Sequence, residues 1–95
     1  MALELTRKTG TSVEIGGPPT ILTLTVKAVA ENYIRLNLKT NDDDRLYTVR
    51  LGEVYTIHIS AGPINIKLLA IDRGDARLSF DCARHIRIER PERGA

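Results

Sequence analysis

The feature that most constrains the fold is an alternation of apolar and polar residues with a period of two. Between Leu22 and Val26 apolar residues alternate with threonines, and between Ile64 and Leu68 they alternate with other polar residues. Ile86 and Ile88 share one face of the last such stretch, residues 85–90. Because successive side chains of a strand point to opposite faces, this period predicts half-buried strands.

Turn-forming residues separate the alternating stretches at short intervals. The turns that we predict are at residues 16–19, 30–33, 40–44, 60–63 and 72–75. The strongest helical spacing is that of the arginines near the end of the chain, but Ile86, Ile88 and Pro91 oppose a helix there. Short strands with regular turns predict an all-β barrel or sandwich.

Composition limits the classes of protein. The 95 residues make one domain, residues 1–95, and a net charge of +2 permits nucleic-acid binding without requiring it. Cys82, the single cysteine, cannot form an internal disulfide, and no apolar run is long enough to span a membrane. We therefore expect a cytoplasmic protein that does not insert into membranes.

The sequence gives no pattern of catalytic or metal-binding residues. It lacks a Ser-His-Asp set, a Gly-rich phosphate loop and spaced acid and base residues, so we predict that it is not an enzyme and needs no cofactor. His58, His85 and Cys82 do not have the spacing of metal ligands. The acidic run 42–44 lacks the glycine and the terminal glutamate of a calcium loop, so no metal site is predicted.

A near-repetition divides the chain. "LTRKTG" ends at Gly10 and "YTVRLG" ends at Gly52, and the same offset of 42 positions also pairs Thr6 with Thr48, Ile15 with Ile57 and Ala28 with Ala70. Alternation alone does not explain these matches, so we predict a tandem repeat. The first repeat is at about 1–44, a joining strand at about 45–53 and the second repeat at about 52–92. Each repeat is too small to fold alone, so both are expected to share one core.

Each half resembles the carbon storage regulator (CsrA/RsmA) family, small bacterial proteins that bind messenger RNA and control its translation. The residues of the first half that match the family pattern are Leu5, Thr6, Arg7, Lys8, Gly10, Ile15 and Gly16. The second half matches at 52–57 and 64–92. The resemblance covers almost the whole chain.

The resemblance implies a particular architecture. Family members are five-stranded units that form an intertwined homodimer, with each RNA site made by the first strand of one unit and the fifth strand of the other. This chain is accordingly expected to be a single-chain pseudo-dimer, an intertwined β-barrel or sandwich without the family's C-terminal helix. The alternative is a homodimer in which two chains swap strands.

The resemblance also gives candidate RNA-binding residues, which are Leu5, Thr6, Arg7, Lys8, Arg87, Ile88, Glu89 and Arg90. We expect the first and last strands to lie side by side, with Arg7 and Arg90 continuing the apolar face and leaving the core at the rim. Thr48 and Arg50 would form a degenerate second site, because one joining strand cannot serve both edges. The neighbouring acidic run also opposes binding of a phosphate backbone.

The function that the resemblance implies is translational regulation through GGA motifs in mRNA hairpin loops, with one competent site. The family's Ala-Pro turn is Cys82-Ala83 in this chain, which departs from the pattern. The alternative is a CsrA-like protein-interaction or structural module that has lost RNA binding. Its partner would be a protein antagonist or a CsrA-family member.

Overall fold

The computed structural model describes residues 2–16 and 21–90. Within these ranges the chain forms nine strands: β1 (Ala2–Lys8), β2 (Ser12–Ile15), β3 (Leu22–Val29), β4 (Tyr33–Lys39), β5 (Asp44–Arg50), β6 (Val54–Ile59), β7 (Gly62–Asp72), β8 (Asp75–Cys82) and β9 (Ile88–Glu89). The described part of the chain contains no helix, and hence none that could cross a membrane. The prediction of an all-β chain is confirmed.

The strands form two antiparallel sheets. One has the order β1-β8-β7-β6, and the other has the order β5-β4-β3-β2-β9. The two sheets do not close into a barrel through any strand pairing of the described residues. The alternation allowed either a barrel or a sandwich, and the described residues form two separate sheets rather than a closed barrel.

One hydrophobic core lies between the sheets, and its members come from both. In β3 the buried residues are Leu22, Leu24 and Val26, in strict alternation with half-buried threonines. β7 and β8 follow the same rule, and Phe80 on β8 is the largest of the fully buried side chains. The period of two thus translates directly into one buried face per strand.

The predicted turns within the described residues are confirmed. The amide of Ala30 donates to the Tyr33 carbonyl at 2.9 Å, and the amide of Thr40 donates to the Asp43 carbonyl at 2.8 Å. Turns at Ser60–Ala61 and Arg73–Gly74 join β6 to β7 and β7 to β8. The predicted turn at 16–19 falls mostly outside the described residues, as does the C-terminal region in which the family's helix would be expected.

Local geometry recurs at the offset of 42 positions. The bounds of β5 are those of β1 moved by this offset, and the register shift in β3 near Val26 has its counterpart in β7 near Leu68. The amide of Gly10 donates to the Val26 carbonyl at 2.7 Å, and the amide of Gly52 donates to the Leu68 carbonyl at 2.9 Å. The two glycines have φ values of 90° and 85°, which only glycine adopts without strain.

Edge strands cross between the halves of the chain. β1 pairs with β8 along its whole length, from Ala2–Asp81 to Lys8–Asp75, so it borders the sheet of the second half. β9 pairs with β2, so it borders the sheet of the first half. The expectation that β1 and β9 lie side by side as neighbouring strands is therefore wrong. β8 offers β1 a longer partner, and the turn after β8 takes the chain to the other sheet.

Two further expectations need correction. The last strand was predicted over 85–90, but only Ile88–Glu89 pairs, because a turn with the Ile86 amide 3.1 Å from the Ala83 carbonyl precedes it. The joining segment, predicted as one strand over 45–53, is a strand only as β5. It pairs with β4 alone, through a tight hairpin, and so takes the position that β1 has in the other sheet.

Candidate nucleic-acid interface

The first and last strands of the chain meet at the same end of the molecule, through β2. Arg7 on β1 donates through Nη1 to the Ser12 carbonyl at the start of β2, at 3.2 Å. β9 lies on β2 at the side opposite β3, with Ile88 paired to Ile15. We call β1, β2 and β9 the closed end, and β5 with β6 the open end.

Arg7 is buried at the closed end, with only 7% of its surface exposed. Its Nε donates to the Thr6 carbonyl at 2.7 Å, in addition to the bond with Ser12. Arg7 does continue the apolar face of β1, as predicted, but it does not leave the core at the rim. The chain reverses after Lys8 and brings backbone carbonyls within reach of the guanidinium, whose N–H groups are all donors.

The turns after β1 and β5 are each held by the side chain of the residue that follows the glycine, Thr11 after Gly10 and Glu53 after Gly52. The Thr11 hydroxyl donates to the Lys8 carbonyl at 2.7 Å and lies 3.1 Å from the Lys8 amide, which donates to it. In the second half the Arg50 amide donates to Glu53 Oε1 at 2.9 Å. Each turn therefore holds an exposed cationic side chain, Lys8 or Arg50, at the end of an edge strand.

Gly16 anchors the last segment to β2. Its amide donates to the Arg87 carbonyl at 2.7 Å. Its φ is +94°, and a Cβ at this position would come within 2.7–2.9 Å of the Ile21 side chain. Glycine is therefore required on both counts. Gly16 thus fixes the position from which Ile88, Glu89 and Arg90 follow.

Ile86 and His85 anchor the same segment to the other sheet. Ile86 is 1% exposed, and His85 Nε2 donates to the Ala61 carbonyl at 2.8 Å. Since Ala61 precedes β7, the segment that carries β9 is held by both sheets. It covers the core at the closed end.

The predicted RNA-binding residues differ in exposure. Leu5 is buried in the core, like Arg7, whereas Ile88 and Arg90 are half-buried. The exposed members are Thr6, Lys8, Arg87 and Glu89. Arg87 Nη2 lies 2.7 Å from Glu89 Oε1, but both side chains are at least half exposed, so this pair adds little stability.

The predicted second site lies on β5, where Thr48 and Arg50 are both exposed. Val49 lies between them at the position that Arg7 has on β1, and it is 1% exposed. Arg45 Nε lies 2.5 Å from Asp43 Oδ2, so an ion pair occupies the start of this strand. The open end has no strand in the position that β9 takes at the closed end, among the residues that the structure describes.

A groove of about 380 Å³ lies between β5 and β6, which the sequence reasoning missed. It is lined by Leu22, Leu38, Thr40, Asp43, Arg45, Tyr47 and residues 55–59. The ring centroids of Tyr47 and Tyr55 are 4.8 Å apart at an interplanar angle of 43°. In the described part of the chain β6 lies at the edge of its sheet, and alternation alone gave no signal of this.

The two tyrosines of the groove titrate differently. Burial raises the pKa of Tyr55 to about 12, and the hydrogen bond to Tyr47 adds to this effect. The same hydrogen bond lowers the pKa of Tyr47, with a further contribution from Arg45.

Metal-binding and nucleophilic groups do not converge in the described residues. No group of three His, Cys, Asp or Glu side chains there could hold a metal ion. Cys82 is buried, and burial raises the pKa of its thiol, which disfavours the reactive thiolate.

Comparison of the chain with protein-family models, with curated proteins and with solved structures finds no match. An assignment of function therefore depends on the residues and geometry of this chain.

Proposed function

We propose that the chain is a single-chain pseudo-dimer of two CsrA-like units that regulates translation by binding GGA motifs in mRNA hairpin loops. The observation that carries the proposal is the crossing of the edge strands. β1 pairs with the sheet of the second half and β9 pairs with the sheet of the first half. This exchange of edge strands between the two halves supports the intertwined pair that the resemblance implies.

The proposed RNA site is the closed end. It has both a first strand and a last strand, and Lys8, Arg87 and Arg90 lie there. The open end has a first strand, β5, but no last strand on β6 in the described part of the chain. This difference supports one site per chain.

The roles that we assign follow from exposure. Lys8 is exposed at the end of β1 and would contact phosphate as a point charge. Arg90 follows β9 and would donate two parallel hydrogen bonds to a guanine edge. Arg7 is a positioning residue, because its bonds to the Thr6 and Ser12 carbonyls fix the turn that carries Lys8.

Base stacking has no part in the proposal. The closely spaced aromatic pair, Tyr47 and Tyr55, lies in the groove of the open end. Recognition would depend on cationic side chains and backbone groups around unpaired loop bases.

The test is a titration of a labelled hairpin with GGA in its loop, against a hairpin with CCA. We expect one RNA per chain and a loss of about tenfold to a hundredfold in affinity for Arg90→Ala. Lys8→Ala should weaken binding and should reduce the slope of log affinity against log salt concentration by about one, the change expected for the loss of one phosphate contact. Arg50→Ala is the matched control, since Arg50 has the position of Lys8 at the open end, and it should bind as the wild type does.

Equal affinity for the two hairpins, or an equal loss for Arg50→Ala and Lys8→Ala, would contradict the proposal. Absence of binding at low salt would leave the second candidate function, a CsrA-like protein-interaction module. The open edge of β6 favours that function. A protein antagonist or a CsrA-family member would then be the partner.

A further inference from the structure

β6 is an edge strand whose outward backbone groups can be assigned from its partner. His58 is paired with Pro63 on β7, and proline has no N–H to give to the ladder. Hydrogen-bonded and non-hydrogen-bonded pairs alternate along an antiparallel ladder. The backbone groups of Val54, Thr56 and His58 therefore point away from β7, where the described chain has no further strand.

The edge of β6 lacks the features that protect an edge strand. The sequence Val54–Ile59 contains no charged residue and no proline, and its pairing with β7 has no register shift. The other three edges differ, since β1 and β5 carry exposed charged side chains and β9 has two residues. Charges, bulges and short length normally prevent an edge from pairing with another chain.

We infer that β6 pairs with β6 of a second copy of this chain, antiparallel, around a two-fold axis at Thr56. The two four-stranded sheets then become one continuous sheet across the dimer. Each copy keeps all its own strands, so this is not a strand swap.

The residues of β6 are complementary to themselves in this register. On the groove side Tyr55 lies opposite Ile57 of the second copy, an aromatic and β-branched pair that is favourable in sheets. On the outer side Val54 lies opposite His58, and Thr56 lies opposite Thr56. No like charges meet, and every outward N–H and C=O of Val54, Thr56 and His58 gains a partner.

Burial within the groove favours the same occupant. Tyr55, Ile57 and Ile59 are half-buried although they face the core side, and Val54 is 58% exposed. In this register Tyr55 and Ile57 of one copy pack against Ile57 and Tyr55 of the other, and Val54 is partly covered by His58. The interface is at the open end, so the inference is independent of the proposed RNA site at the closed end.

The test uses the position of Thr56 on the two-fold axis. Sedimentation velocity should show that the wild type forms a dimer at a chain concentration of about 1 mM or lower. This corresponds to a dissociation constant of about 1 mM or tighter. Thr56→Lys and Thr56→Glu should each be monomeric, because two like charges then lie directly opposite one another. An equimolar mixture of the two variants should recover the dimer.

Asn32→Lys and Asn32→Glu are the matched controls, since Asn32 is exposed in the turn between β3 and β4, and both should dimerise as the wild type does. Circular dichroism checks that every variant folds. As a second readout, hydrogen exchange should slow at the amides of Val54, Thr56 and His58 as concentration rises. A monomeric wild type, dimers of both charged variants, or a mixture that stays monomeric would each overturn the inference.

Discussion

The closed and open ends are built from equivalent strands and turns, yet one is covered and the other is not. At the closed end Ile86 and β9 cover the core after the chain crosses from one sheet to the other. At the open end the chain turns back after β4 and forms β5 instead. One segment cannot be both the last strand of the first half and the first strand of the second.

Arg7 on β1 and Val49 on β5, which are 42 positions apart, differ in the same way between the two ends. The guanidinium of Arg7 donates to the Thr6 and Ser12 carbonyls. Val49 is also buried, but its side chain has no polar group that needs a hydrogen-bond partner. A buried guanidinium is stable only when it is paired or hydrogen-bonded. The comparison shows that positions 42 residues apart, in strands with matching bounds, can have opposite polarity when their surroundings differ.

The largest effect that we predict is at Ile86. Ile86→Ala removes a fully buried side chain and should lower the free energy of unfolding by about 2–5 kcal/mol. Asp44 is 42 positions earlier and exposed, and its side chain accepts one surface hydrogen bond from Asn37, so Asp44→Ala should lower the free energy of unfolding by no more than about 1 kcal/mol. Urea denaturation of both variants measures this contrast, and equal effects would contradict the account of a covered and an uncovered end.

The second effect, at Arg7, is smaller. Arg7→Met keeps the apolar stem but removes the donors to the Thr6 and Ser12 carbonyls, and should cost about 1.5–3 kcal/mol. Val49→Met, at the corresponding position, changes no polar contact but adds volume at a fully buried site, so its cost of about 1–3 kcal/mol measures overpacking alone. Denaturation of the pair provides the measurement. An Arg7→Met variant as stable as the wild type would show that the guanidinium has no structural role.

The smallest effect is expected at Tyr55. Since the pKa of Tyr55 is raised in the folded state to about 12 from a usual 10.0, its contribution to stability is complete below pH 10 and is lost as the pH rises towards 12. Tyr55→Phe removes this loss and the hydrogen bond to Tyr47, at a cost of about 1 kcal/mol near neutral pH.

The measurement is the free energy of unfolding across the alkaline range. The wild type should lose more stability than Tyr55→Phe between pH 10 and 12. Tyr33→Phe, at a tyrosine outside the groove, is the control and should follow the wild type. Parallel curves for the wild type and Tyr55→Phe would show that the groove does not bury this hydroxyl.

Much of the fold could be predicted from the sequence, because a period of two specifies which residues face the core. Leu22, Leu24 and Val26, for example, are buried as their alternation indicates. Alternation does not specify a partner strand, so the pairing of β1 with β8 could not be read from it. The open edge of β6 was missed for the same reason.

The candidate site was predicted less completely. Arg7 was correctly placed on the apolar face, but its burial depends on the Ser12 carbonyl, which a turn five residues along the chain brings close. Lys8 ends β1 as expected, whereas Arg90 follows β9, which ends at Glu89 and does not pair with β1. Their role in binding stays a prediction.

The central claim is that the two ends differ in function, and it is tested most directly by NMR of the labelled chain with a GGA hairpin. The account predicts that backbone signals of Lys8, Ile88, Glu89 and Arg90 shift on binding, while those of Thr48 and Arg50 do not. Saturation should occur at one RNA per chain. Equal shifts at Lys8 and Arg50, with saturation at two RNAs per chain, would contradict it.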